Sequence, residues 1–189
     1  MQRAGQSLKS SDMKRNILIH PDPRLKKICA PVADITDDLR KLADDMLETM
    51  YDAPGIGLAA PQLGLLHRLI VLDCVKEDGA KPQPTIMFNP ILVGSSDETN
   101  VYDEGCLSIP EQYAEITRPA EVEVRWMDRD GNEQQAGFNG LWATCVQHEI
   151  DHLQGKLFID YLKPLRRQII TRRMQKLKRE KAREEHGSS

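Results

Sequence analysis

Apolar residues at Leu39, Leu42, Met46, Leu47 and Met50 fall three or four apart, which predicts an amphipathic helix. Thr36 stands where an N-cap oxygen is needed, and Pro54-Gly55 must end the helix. The pattern then changes. Leu69-Ile70-Val71-Leu72 is a continuous apolar run of strand length, and Ile86 to Val93 is a second strand, broken by Asn89-Pro90. Residues 76–84, rich in Lys, Pro and Gly, separate them and read as a loop. Glu121 to Met127 alternates polar and apolar positions, and Asp130-Gly131 turns the chain into Glu133 to Phe138, which predicts a hairpin. Helical spacing returns from Leu141 to Leu153, where Gly155 offers a C-cap, and a last helix is expected after Pro164. A short apolar run, Asn16-Ile17-Leu18-Ile19, is closed by Pro21 and Pro23. No internal repeat is visible. Strands and helices occupy separate blocks, so the expected fold class is α+β.

Charge adds a division that hydropathy does not show. Residues 163–189 hold ten Lys/Arg and three Glu, a balance of +7, whereas residues 1–162 carry a balance of −10. An acidic body with a basic C-terminal segment excludes a uniformly basic nucleic-acid binder, and no DNA partner is expected. The length of 189 residues suits one domain with an appendage. No apolar run approaches the roughly 18 residues of a membrane span. Residues 1–14 are polar, lack the apolar centre of a secretory signal and read as a flexible extension. Four cysteines are too few for a disulfide scaffold, so a reducing, intracellular setting is expected.

The most specific local pattern is His148-Glu149-Ile150-Asp151-His152, an H-E-x-x-H inside a predicted helix. Histidines at i and i+4 share one face, so both rings can reach one metal, and the intervening Glu can take a proton from an activated water. The bland alternative is a helix with surface histidines, or one buried histidine satisfied by a carbonyl. A third ligand is needed. Downstream, Phe158 occupies the position where metzincins place a histidine, and the first glutamate is Glu180, within the basic tail. The missing ligand is therefore expected upstream, among His20, His67 and the cysteines. Cys106 stands out in Glu104-Gly105-Cys106-Leu107-Ser108-Ile109-Pro110, and thiolate with imidazole suits zinc or ferrous iron. A small buried hydrophobe is the competing reading for Cys106, and Cys29, Cys74 and Cys145 fit that reading better.

Gly55-Ile56-Gly57-Leu58-Ala59-Ala60-Pro61-Gln62 is the second unusual run. It matches G-x-G-x-x-A, but a helical pattern precedes it and Pro61 would interrupt the helix that such a motif must open, the wrong context for a dinucleotide site. It reads instead as a tight turn, or as an exposed backbone edge with which a peptide can pair, with Gln62 offering an amide N–H to a developing oxyanion.

Together, GIGLAAPQ at 55–62, EGCLSIP at 104–110 and QHEIDHLQG at 147–155 resemble peptide deformylase, in order along one chain. The similarity runs from about residue 15 to the end, including the Asn16–Val32 opening and the Tyr161–Leu165 lead into the last helix. The resemblance implies antiparallel sheets packed around a central helix carrying the H-E-x-x-H, and a C-terminal amphipathic helix. It implies one metal per chain, Fe²⁺ in most native enzymes, with Zn²⁺, Ni²⁺ or Co²⁺ able to substitute. Cys106, His148 and His152 would be the ligands, Glu149 the acid/base, and Gln62 with the Leu107 N–H the oxyanion donors. Gly55, Ile56, Gly57, Tyr102, Glu104, Gly105, Leu141, Thr144 and Cys145 would contact substrate. The implied reaction removes formyl from the N-terminal formylmethionine of new polypeptides and releases formate.

The implied location is the bacterial cytoplasm, with organelle import left open by residues 1–14. The expected units are 1–14, a catalytic 15–164, and a C-terminal helix with a basic tail, 165–189, able to contact ribosomal RNA. Two departures stand out: Tyr113 occupies a position where many bacterial relatives carry Arg, and residues 1–14 extend beyond a compact bacterial form. The competing readings are a zinc endopeptidase and an inactive ribosome-binding relative. No downstream third ligand favours the first, and the intact Cys106/His148/Glu149/His152 set speaks against the second.

Overall fold

A computed structural model describes residues 15–75 and 80–187. The expectation for residues 1–14 lies outside the described residues, as does part of the 76–84 loop. Helix α1 (Asp37–Asp52) starts where Thr36 accepts a hydrogen bond from the Leu39 N–H, as its N-cap position requires. Five antiparallel strands then form one sheet: β1 (Gly57–Ala59), β2 (Leu69–Leu72), β3 (Thr85–Ser95), β6 (Glu121–Met127) and β7 (Glu133–Asn139), in the order β1-β2-β3-β6-β7. A separate hairpin joins β4 (Thr99–Cys106) to β5 (Ile109–Pro119). Helix α2 (Gly140–Leu153) follows β7, and α3 (Pro164–Gly187) closes the chain.

Strand β2 explains why its run is apolar throughout. Ile70 and Leu72 enter a core shared with α2, while Leu69 and Val71 enter a second core shared with α1. Both faces of the strand are covered, so no polar alternation survives. The expected break at Asn89-Pro90 is a bulge instead of an end. Asn89 takes φ +52, and its amide bonds both the N–H and the carbonyl of Val32, at 2.8 and 2.7 Å. The predicted β6–β7 hairpin forms in register from Glu121↔Asn139 to Met127↔Glu133.

Helix α2 packs on β1, β2, β6 and β7 and also touches β5. It ends as expected: Gly155 adopts φ +71, and a Cβ there would lie 2.5 Å from the Lys26 carbonyl oxygen. A third core gathers β5, the 158–161 turn and α3. Ile170 and Met174 of α3 are buried in it, whereas Leu165 remains 70% exposed and Ile169 44%. No helix among the described residues is long and apolar enough to cross a membrane.

Candidate metal centre and substrate pocket

Strand β4 delivers Cys106 at its last position, immediately before the two-residue turn that pairs Cys106 with Ile109. Helix α2 presents His148 and His152 one turn apart, with ring centroids 5.0 Å from each other. One candidate ligand atom from each of the three residues falls within 4.8 Å of the others. The Cys106 Sγ is 3.3 Å from His152 Nε2. His148 pairs through Nδ1 with Glu104 Oε2 at 3.0 Å, which leaves Nε2 available to the cluster. The other upstream candidates lie elsewhere: His20 bonds Thr171 of α3, and His67 is exposed.

Glu149 Oε2, buried beside the cluster, has no protein partner among the described residues. Leaving such an atom unpaired costs about 1–3 kcal/mol, so it is not expected in a site completed by protein alone. A thiol and two imidazoles form a donor set that fits a divalent transition metal.

The electrostatics follow from burial and a chain of charges. Burial pushes the Glu149 carboxyl up to about 7. Burial and the neighbouring His148 hold His152 well below the usual imidazole range. For His148, burial acts against the charged form, but the bonds to Cys106 and Glu104 outweigh it and raise the group. Burial likewise opposes ionisation of Glu104, yet hydrogen bonds with His148 and Arg118 prevail and lower it. Arg118 grips Glu104 through Nε at 2.5 Å and Nη2 at 3.0 Å. Its Nη1 reaches Asp151 of α2 at 2.8 Å and the Tyr161 hydroxyl at 3.1 Å. Tyr161 in turn donates to Asp151 at 2.7 Å. The imidazole of His148 is thus oriented by a carboxylate that an arginine holds from behind.

Gln62 sits in a 3-10 turn, Ala60–Leu63, behind β1. Its Oε1 accepts from the Ala59 N–H at 2.8 Å, so its NH₂ is turned to Ser108 Oγ at 3.2 Å and Cys106 Sγ at 3.5 Å. Gly57 lets β1 lie against α2: a Cβ there would be 2.5 Å from Glu149 Oε1 and 2.8 Å from Cys145 Sγ. Cys145 donates to the Ile56 carbonyl at 3.5 Å, and its bond to Cys74 together with burial raises its thiol well above the ordinary range.

These residues enclose a cleft of about 600 Å³. Every site residue named from the sequence lines it except His152, which is buried at the cluster. The cleft runs between β1, which has a strand partner on one side only, and the β4–β5 hairpin. Both Glu104 oxygens are taken by Arg118 and His148, so its carboxylate is committed to holding the His148 ring. Sequence reasoning missed Arg118 and Asp151. The signal for Arg118 was present: Ala114, Ile116 and Arg118 alternate as the inward face of β5, and an inward arginine demands a carboxylate.

The sequence model of the family described as polypeptide deformylase matches residues 14–168. The chain is 57% identical to the peptide deformylase of Rhizobium meliloti (strain 1021), over 85% of this chain and 91% of that protein. It is 55% identical to that of Rhodopseudomonas palustris (strain BisB5), over 86% of this chain and 93% of the other. Among solved structures, a peptide deformylase from Legionella pneumophila superimposes with a TM-score of 0.83 at 44% identity, covering 90% of this chain and 99% of that one. The peptide deformylase from Ehrlichia chaffeensis in complex with actinonin gives a TM-score of 0.83 at 38% identity, covering 87% and 98%.

Proposed function

The chain belongs to the polypeptide deformylase family, hydrolases that remove the N-formyl group of newly made polypeptides, and from that premise we propose the part each residue plays. The observation that carries the reading is the meeting of Cys106, His148 and His152 within 4.8 Å beside a buried glutamate with an unpartnered oxygen. Cys106 Sγ and the imidazoles of His148 and His152 hold one Fe²⁺, for which Zn²⁺, Ni²⁺ or Co²⁺ can stand in. When bound, the ion supplies Lewis acidity that polarises the formyl carbonyl and acidifies water.

Glu149 takes the proton of the attacking water and passes it to the departing amine, a transfer suited to a carboxyl raised by burial. The Gln62 amide and the Leu107 N–H meet the negative charge that develops on the formyl oxygen, donors worth about 3 kcal/mol each in comparable sites. Leu141, Thr144 and Cys145 on α2, with Ile56, line the space for an unbranched methionine side chain. Gly55, Gly57, Tyr102 and Gly105 border the path on which an extended peptide can pair with the free edge of β1. Glu104 and Arg118 orient His148. This arrangement corresponds to sheets disposed about a central helix that carries the H-E-x-x-H.

We further assign residues 15–164 to the catalytic unit, with 1–14 as an extension. Residues 165–189 are read as an amphipathic helix whose basic end, Lys176, Lys178, Arg179, Lys181 and Arg183, contacts ribosomal RNA in the cytoplasm. The test is formate release from formyl-Met peptides by anaerobically prepared, iron-loaded protein, with Glu149→Gln alongside. Turnover that falls about 10²–10⁴-fold in the variant is expected. Cleavage of internal peptide bonds without formate release would favour the endopeptidase instead.

A further inference from the structure

The rim of the cleft contains a strained bulge held from outside by α3. Gly105 pairs with Tyr113 but Cys106 pairs with Ile109, so Pro110, Glu111 and Gln112 are inserted opposite a single step of β4. All three line the cleft, as does Tyr113. Glu111 adopts φ +59, the left-handed region that non-glycine residues rarely occupy. Such a conformation persists only where its surroundings hold it.

The restraints lie on both sides of Glu111. Ile109 is fully buried in the core that contains Ile170 and Met174 of α3. Arg173 of α3 donates to Gln112 Oε1 at 3.0 Å. Arg166, two turns earlier on α3, donates to the Tyr113 carbonyl at 3.2 Å. Tyr113 in turn lies on Gly105, where a Cβ would come within 2.6 Å of its ring. The helix therefore grips the two residues after the strained one, and the second of these covers the backbone next to Cys106.

We propose that Arg166 and Arg173 are positioning residues for the outer part of the substrate cleft: they hold the Pro110–Tyr113 bulge in the shape that receives the peptide beyond its formylmethionine. This rests on the cleft being the deformylase substrate site. The inner pocket on α2 receives the methionine and does not involve the bulge, so the two arginines act on longer peptides and spare the shortest ones.

The experiment compares wild type, Arg173→Ala, Gln112→Ala and the double Arg166→Ala/Arg173→Ala on formyl-Met-Ala and on a formylated tetrapeptide. Two lost hydrogen bonds of ordinary strength predict a KM for the tetrapeptide raised roughly three- to tenfold in the double variant, with kcat within about twofold. Values for formyl-Met-Ala should not move. Hydrogen exchange should quicken across residues 109–114 at an unchanged melting temperature, a readout that needs no turnover. Gln112→Ala should reproduce Arg173→Ala, and combining the two should add nothing. Unchanged exchange at 109–114, or an equal rise in KM for both substrates, overturns the proposal. Absence of formate from every peptide, even with wild type, would contradict the deformylase assignment instead, and the exchange data would still decide whether α3 holds the bulge.

Discussion

The two walls of the cleft are built on different principles. One is α2 laid against β1 and β2, where Ala59, Ile70, Leu72, Ala143 and Val146 are all fully buried. Apolar packing holds that wall, and Gly57 sets its closest approach. The other wall is the β4–β5 hairpin, two strands with a largely exposed outer face. A two-stranded ribbon is marginal by itself. Here Ile109, Ala114 and Ile116 of its inward face enter the third core, and beside them charge pins the hairpin to α2, through Glu104, Arg118 and Asp151, at side-chain exposures of 4%, 5% and 18%. The candidate metal centre draws its histidines from the packed wall and its thiol from the pinned one. A buried ion pair is weak as a source of stability but strong as a constraint on geometry, since it tolerates few arrangements.

The contrast can be broken most sharply at Arg118. Arg118→Met leaves Glu104 buried without its guanidinium and should cost about 3–5 kcal/mol in urea unfolding. The double variant Arg118→Met/Glu104→Gln should recover much of that loss. A single-variant cost below about 1 kcal/mol would mean that charge does not hold the hairpin.

Gly57→Ala probes the packed wall and should have a smaller effect on stability. The added methyl meets Glu149 Oε1 and Cys145 Sγ inside 3 Å and should cost about 1–3 kcal/mol as an overpacked core does. The same displacement of Glu149 should lower turnover by as much as about 10²-fold. Gly137→Ala is the control: its Cβ would meet nothing within 4 Å. Equal behaviour of the two variants would contradict a sterically set wall.

The smallest expected effect on chemistry lies in the basic tail. Deleting residues 178–189 should leave formyl-Met-Ala turnover within about twofold, because the buried α3 contacts, Ile170 and Met174, precede the cut. Ribosome co-sedimentation at low salt should weaken, as phosphate contacts made by several Lys/Arg predict. Undiminished co-sedimentation would reduce the tail to a solvated helix end.

The packed wall was largely legible in the sequence. Helix α1 behind it and helix α2 within it carry caps at Thr36 and Gly155, its central strand is an unbroken apolar run, and its H-E-x-x-H lies on one helix. The pinned wall was not. Half of β4 is exposed and only Glu104 in it is buried, so no alternation shows, and β5 places a charged residue, Arg118, on its inward face after Ala114 and Ile116. Glu104 and Arg118 are 14 residues apart, a pairing that periodicity cannot reveal. The three candidate ligands could be proposed because H-E-x-x-H demanded a third, and the choice of Cys106 needed the family resemblance. The bulge at Asn89 was half visible: the interruption could be read, but not the Val32 clamp that lets the strand continue.

The central claim is that one metal is held jointly by the two walls, and metal content tests it most directly. Cys106→Ala removes the candidate ligand that the hairpin supplies, and Glu149→Ala removes a neighbouring carboxyl outside the proposed ligand set. Elemental analysis of wild type and both variants, purified in parallel without oxygen, should find metal retained in wild type and Glu149→Ala and lost from Cys106→Ala. Full occupancy in Cys106→Ala would contradict a centre shared between the walls.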